Sequence, residues 1–305
     1  MKAKLLAAGE GINIYLKYSD MPKNSDESIL FVHGYPDSHS SWEKQLDFFK
    51  AEFQVGAFDL RGAGKSTAPF DRSGYRISEL VNDLKSVIDD MVGKDGKIHL
   101  VGHDWGSIIC WSFLSSPENE KRVLSYSAVT CPHPMMFYKN IFGKLFSFDP
   151  NRVAEGLNQI LKSYYMLFFQ IPMIPEFLWK NFTIPLWEML MKTAGIPEND
   201  PMRRLSADEI LSFTLNTVNL YREALQTGVP SLPRIPIQIP VAMFIPEDDL
   251  ALSPELYDET ETYVRNLRYF RIQANHWVHR EKPDWFNQTL YSFIRGASPA
   301  KQKKK

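Results

Sequence analysis

Cysteine is scarce: two in 305 residues, Cys110 and Cys131. That number excludes a disulfide framework, and the spacing is not the Cys-x-x-Cys of a zinc or redox site, so both are expected as buried thiols. Long apolar runs are missing too. The opening MKAKLLAAGE holds four consecutive apolar residues, against the roughly 7 to 15 of a signal peptide, and no stretch reaches the roughly 18 of a membrane span. A cytoplasmic protein with no integral membrane segment is the expectation. Nor is charge of either sign in excess, with 35 Lys and Arg against 36 Asp and Glu. There is then no long-range pull toward nucleic acid, and the expected partner is small and neutral. No internal repeat or low-complexity segment occurs.

What is present is a series of short apolar segments that stop at turn residues. SILFVHG, FQVGAFDLRG and KIHLVGHD have the length of buried parallel strands, and GINIYLKYS alternates apolar and polar residues as a half-buried strand does. Between them, Leu80, Val81, Leu84, Val87 and Ile88 recur at three- and four-residue spacing, which predicts a helix with one apolar face. Strand and helix alternate, so the fold class is α/β, a mostly parallel sheet flanked by helices. From Met135 to Arg234 the chain becomes aromatic- and proline-rich with helical pattern, which predicts an inserted helical lid. The alternation resumes in IPVAMFIPEDD and LRYFRIQANHW. The expected division is core over 1–134, lid over 135–234, core again over 235–298 and a basic flexible tail over 299–305.

In an open parallel sheet, ligands bind at the carboxyl ends of the strands. Three such ends carry Asp104, the pair Asp248 and Asp249, and His276. Their chain order is nucleophile, acid, histidine. Asp104 lies in GHDWG, where Gly102 and Gly106 permit a sharp strand-to-helix turn with close backbone approach. A helix N-cap is the plainer role open to it. HGYP, His33 to Pro36, ends another strand and can aim the Tyr35 amide into the crevice, where it would pair with the Trp105 amide as an oxyanion hole. DLRGAGKS lacks phosphate-loop spacing and is expected to be a structural turn. Ser107 falls three residues past Asp104, on the helix, too late to act as an esterase nucleophile. His33 is expected to support its turn, His103 to pack beside the nucleophile, and His279 to sit at the surface or a helix start.

HGYP, DLRGAGKS, GHDWGS, CPHP and NHWVHREKPDWF, in this order over residues 10 to 297, resemble the α/β-hydrolase-fold epoxide hydrolases. SYYMLFFQIPMIPEF is similar to that family's lid segment with a tyrosine five residues before a glutamine, here Tyr165 before Gln170, with Tyr164 adjacent. NLYRE is similar to its second lid tyrosine, Tyr221. The resemblance implies an α/β-hydrolase fold, with Asp104 as nucleophile and His276 as base. Asp249, five residues before Pro254, becomes the orienting acid, and Tyr165 and Tyr221 the acids. It also implies a small hydrophobic epoxide and water as reactants, with no cofactor and no metal. Met166 and Phe169 are the expected apolar contacts of the substrate.

An aspartate suits such a substrate. Serine attacking a saturated carbon would leave an ether, whereas a carboxylate forms an ester that water can cleave. Tyrosine hydroxyls, with a reference pKa of about 10, remain protonated at neutral pH and can stabilise the opening oxygen. Histidine titrates where a base for water is useful. Two alternatives stand beside this one. A haloalkane dehalogenase would use the same aspartate, with Trp105 and a lid tryptophan, Trp179 or Trp187, on the halide. A non-catalytic binding protein could also occupy the same fold.

Overall fold

The computed structural model describes residues 1–9, 11–228, 233 and 235–298; the basic tail expected over 299–305 lies outside the described residues. One sheet contains β1 (Lys2–Ala7), β2 (Asn13–Tyr18), β3 (Ser28–Val32), β4 (Gln54–Phe58), β5 (Ile98–His103), β6 (Val123–Val129), β7 (Ile237–Pro246) and β8 (Val264–Ile272). Their order is β1-β2-β4-β3-β5-β6-β7-β8. The pairs β1 with β2 and β2 with β4 are antiparallel, and the five remaining pairs are parallel. Every residue of β3 and β5 is buried. Neither strand alternates apolar with exposed polar residues, because layers cover both faces of the sheet, and the buried His99 of β5 bonds Ser125 Oγ.

Four helices precede β6 or connect to it: α1 (Glu43–Phe49), α2 (Ile77–Val92), α3 (Trp105–Leu114) and α4 (Pro117–Glu120). Between β6 and β7 come α5 (Pro134–Leu145), α6 (Pro150–Lys162), α7 (Tyr164–Phe168), α8 (Ile174–Thr193), α9 (Ala207–Thr214) and α10 (Asn219–Thr227). After β8 follow α11 (Val278–Glu281) and α12 (Pro283–Ala297). The end of the expected lid falls on residues 229–232 and 234, outside the described residues.

The period of two in a strand splits β3 between two cores. Leu30 and Val32 pack with Leu80, Leu84, Val87 and Ile88 of α2. Ile29 and Phe31 join Leu46 and Phe49 of α1 and Leu290 and Ile294 of α12 on the other face. Each such buried aliphatic or aromatic side chain contributes about 1.5 to 3 kcal/mol relative to exposure. The sequence pattern does not single out β1. Among the described residues this edge strand pairs only with β2, and its side chains are exposed or half-buried, so no apolar run marks it. In α8, Pro185 lacks the N–H that would bond one turn back, and the helix kinks at Phe182 (φ −132°, ψ 30°).

Candidate active site

Four loops meet above the carboxyl ends of β3, β5, β7 and β8. At the end of β5, Asp104 turns the chain into α3 with φ 52° and ψ −117°, a conformation that L-residues rarely hold. Its neighbours explain the two glycines. A Cβ on Gly102 would lie 2.6 Å from the Gly106 carbonyl oxygen, and one on Gly106 would lie 2.1 Å from that of Val32. Gly34 makes room for the carboxylate itself, since a Cβ there would stand 2.2 Å from Asp104 Oδ1.

The two carboxylate oxygens of Asp104 differ in what holds them. Oδ1 accepts the Tyr35 amide at 2.8 Å. The Trp105 amide opens the first turn of α3, where N–H groups have no acceptor within the helix. Oδ2 lies 3.7 Å from His276 Nε2, too far for a hydrogen bond. The other imidazole nitrogen, Nδ1, is 2.8 Å from Asp249 Oδ2. Asp249 is buried, and its Oδ1 accepts the amides of Ala251 at 2.7 Å and Leu252 at 3.1 Å. Asp248 is exposed and takes no part in this contact. Burial would push the His276 pKa down, but the charge of Asp249 and the nearby Asp104 carboxylate outweigh it and raise it to about 10.

The helical segment supplies the opposite wall. Tyr221 is buried and Tyr165 partly buried, with ring centroids 5.8 Å apart at 86°. Burial, and after it the Asp104 charge, holds both hydroxyls well above the usual tyrosine range, so both stay protonated. Tyr164, by contrast, is 71% exposed. A cavity of about 300 Å³ is lined by Asp104, Trp105, Cys131, Tyr165, Met166 and Tyr221, among others. Phe169 was expected on its wall and is not there. Its carbonyl is held by Arg222 Nε at 2.8 Å, and its ring packs behind the site against Tyr221 (4.9 Å) and Tyr35 (5.3 Å).

Three further histidines, His33, His103 and His279, pack around the site. His33 Nε2 accepts the Leu60 amide at 3.0 Å and Nδ1 donates to the Gly34 carbonyl at 2.8 Å, so this buried ring is neutral and ties HGYP to the DLRGAGKS turn. Burial lowers its pKa to about 4. His103 Nε2 donates to the His276 carbonyl at 3.0 Å. His279 does open a short helix, but it is fully buried rather than at the surface, stacked 4.2 Å from Trp42 and bonded to Ser41 Oγ at 2.7 Å. Ser107 Oγ bonds the Gly102 and Val129 carbonyls, which leaves it no nucleophilic role. Both cysteines are free and buried.

Several residues that sequence reasoning passed over hold the site together. Arg222 fastens α10 to the preceding segment through the carbonyls of Phe169 and Ile171 and through Glu176. Its only signal was its place after Tyr221. From α6, Gln159 Nε2 donates to the Ala251 carbonyl at 2.8 Å and Lys162 Nζ to that of Asp249 at 2.7 Å. Asn275 Oδ1 accepts the amides of His276 and Leu250, so one side chain spans the loops that carry His276 and Asp249.

A mostly parallel sheet that presents an elbow carboxylate after β5, a second carboxylate after β7 and a histidine after β8 is the arrangement of an α/β hydrolase. The chain belongs to the α/β hydrolase fold family, whose profile matches residues 27–283. Among its relatives, human epoxide hydrolase 4 is 29% identical over 281 residues, covering 88% of this chain and 72% of that protein. Caenorhabditis elegans epoxide hydrolase 2 is 26% identical over 298 residues, with 92% and 78% covered. The crystal structure of Bacillus megaterium epoxide hydrolase in complex with an inhibitor is similar with a TM-score of 0.77 and 26% identity, covering 96% of this chain and all of that one.

Proposed function

We propose that this protein hydrolyses hydrophobic epoxides to vicinal diols through an alkyl ester on Asp104, with the helical segment between β6 and β7 as the lid over the reaction. One observation carries the proposal: the elbow residue is a carboxylate with Oδ1 on the Tyr35 amide and Oδ2 left without a hydrogen bond, in a cavity that two protonated tyrosines also line. Oδ2 attacks an epoxide carbon, the carbon–oxygen bond of the ring breaks, and Tyr165 and Tyr221 protonate or hydrogen-bond the departing oxygen. His276, oriented by Asp249, then takes a proton from water, which attacks Cγ of the ester. The negative charge of the tetrahedral intermediate develops on Oδ1, where the Tyr35 and Trp105 amides receive it. Collapse breaks the Cγ–Oδ2 bond as the His276 imidazolium returns its proton to the leaving oxygen; the diol departs with the Asp104 oxygen in its new hydroxyl, the water oxygen stays in the carboxylate, and the second proton of that water restores the tyrosine pair.

The lid tryptophans argue against a dehalogenase. Trp179 Nε1 donates to the Tyr35 hydroxyl at 3.1 Å and Trp187 Nε1 to the Met202 carbonyl at 2.7 Å, so neither is free for a halide. Incubation with a panel of styrene-type epoxides, with diol measured, tests the proposal. Diol formation is expected; halide release from haloalkanes with no diol from any epoxide would sink it.

A further inference from the structure

Among the described residues, 24 large apolar side chains are exposed, and 15 of them lie between Phe142 and Met189, under a sixth of the chain. A single domain seldom leaves such a concentration without a partner. Leu157, Ile160 and Leu161 recur at helical spacing on the outside of α6, and Tyr164 and Leu167 follow on α7. The loop between α5 and α6 carries Phe146 and Phe148, 82% and 106% exposed. Phe142, Ile160 and Leu167 both belong to this face and line the cavity, so the mouth of the candidate site opens within it.

The chemistry of the face selects its occupant. Its exposed side chains stand on a loop tip and along a helix, and a second copy of the chain would need matching apolar pockets to receive them. A further pocket, beside β8 and α12, is lined by Arg265, Asn266 and Arg268 and offers no apolar match to them. Fluid hydrocarbon needs no such match. The exposed charges of the segment balance, Arg152 and Lys180 against Asp149 and Glu188, so a zwitterionic surface fits it and a strongly charged partner does not.

We propose that this face docks on the surface of a lipid bilayer, with the cavity mouth against the membrane, so that apolar substrate enters from lipid. Among the described residues no helix is long and apolar enough to cross a membrane. Docking is therefore peripheral, with Phe146 and Phe148 at the boundary between headgroups and acyl chains. The docking stands on the surface alone; the delivery of an epoxide rests on the function proposed above.

Sedimentation with phosphatidylcholine vesicles tests it. Wild-type protein is expected to sediment with the vesicles, and equally at about 0.1 M and about 0.5 M salt, because the attraction is apolar. Phe146→Ser/Phe148→Ser is expected to lower vesicle partitioning at least about tenfold. Its turnover of a water-soluble epoxide stays that of the wild type, since neither side chain lines the cavity. Wild-type protein that remains in the supernatant, binding that high salt abolishes, or a double variant that sediments normally would overturn the proposal. So would a stable dimer that covers this face and ignores vesicles. Vesicle binding without diol from any epoxide would uphold docking and remove the proposed chemistry, so the two failures are distinguishable.

Discussion

In the proposed mechanism His276 must change character between the two steps, and the geometry provides the means. In the free protein it lies 2.8 Å from Asp249 and 3.7 Å from Asp104, and the two carboxylates hold its pKa at about 10 against the pull of burial. Ester formation removes the charge of Asp104. A unit charge 3.7 Å away is worth about 4 kcal/mol at an effective dielectric constant of about 20, or about 3 pH units. The imidazole of the alkyl-enzyme is therefore expected to titrate well below that of the free protein, toward the range where a general base works best. Asp104→Asn imitates the uncharged ester at nearly unchanged volume. NMR titration of protein carrying ¹³C-labelled histidine, with the His276 signal assigned by its loss in His276→Gln, would read both states. The expected result is a His276 pKa lower by about 3 in Asp104→Asn than in the wild type. The sign for stability follows. Because the folded pKa is raised above 6.5, this contribution is complete below about pH 6.5 and is lost as pH rises through about 10. The wild type should accordingly lose thermal stability over that window more steeply than the variant. A His276 titration that does not move in Asp104→Asn would refute the coupling.

Other residues yield sharper kinetic outcomes. Tyr165→Phe and Tyr221→Phe should each slow ring opening about 10²-fold or more and the double variant should stop it, measured as pre-steady-state alkylation; a double variant with wild-type rate would remove both from the mechanism. Gly34→Ala should abolish turnover while the fold persists by circular dichroism, because the new Cβ would occupy the space of Asp104 Oδ1. Arg222→Ala should cost about 1 to 3 kcal/mol in denaturant unfolding, since it leaves Glu176 and two carbonyls without their donor, and it should reduce kcat through displacement of Tyr221. Unchanged stability and kcat would mean that the clamp does not position the tyrosine.

How much of this was legible in the sequence depended on the kind of signal. The parallel strands could be read because burial on both faces leaves apolar runs without alternation, as in ILFV of β3, and in β5 apart from its buried His99. GHDWG could be read because only glycine tolerates backbone at 2.6 Å and 2.1 Å from a would-be Cβ. The spacing that favoured Asp249 over Asp248 matches the buried contact with His276, but adjacent acids in one loop differ only in the direction of their side chains, which the chain order does not reveal. The same holds for Tyr164 and Tyr165. His279 does stand at a helix start, but its burial was not legible: VHREKP has the composition of a surface segment, yet Trp42 and Ser41, far away in sequence, give the ring an apolar neighbour and a hydrogen-bond partner. Phe169 was misplaced because apolar composition fits a cavity wall and the packing behind it equally well. Arg222, Gln159, Lys162 and Asn275 act through carbonyls and amides of distant loops, contacts that no local pattern encodes.

The covalent intermediate is the centre of the proposed mechanism, and intact-protein mass spectrometry of His276→Gln after incubation with a reactive epoxide tests it most directly. With the base removed, the ester should form on Asp104 and persist, so the mass should rise by that of one epoxide, and peptide mapping should place it on Asp104. A folded His276→Gln protein that stays unmodified, while the wild type turns the same epoxide into diol, would contradict the account.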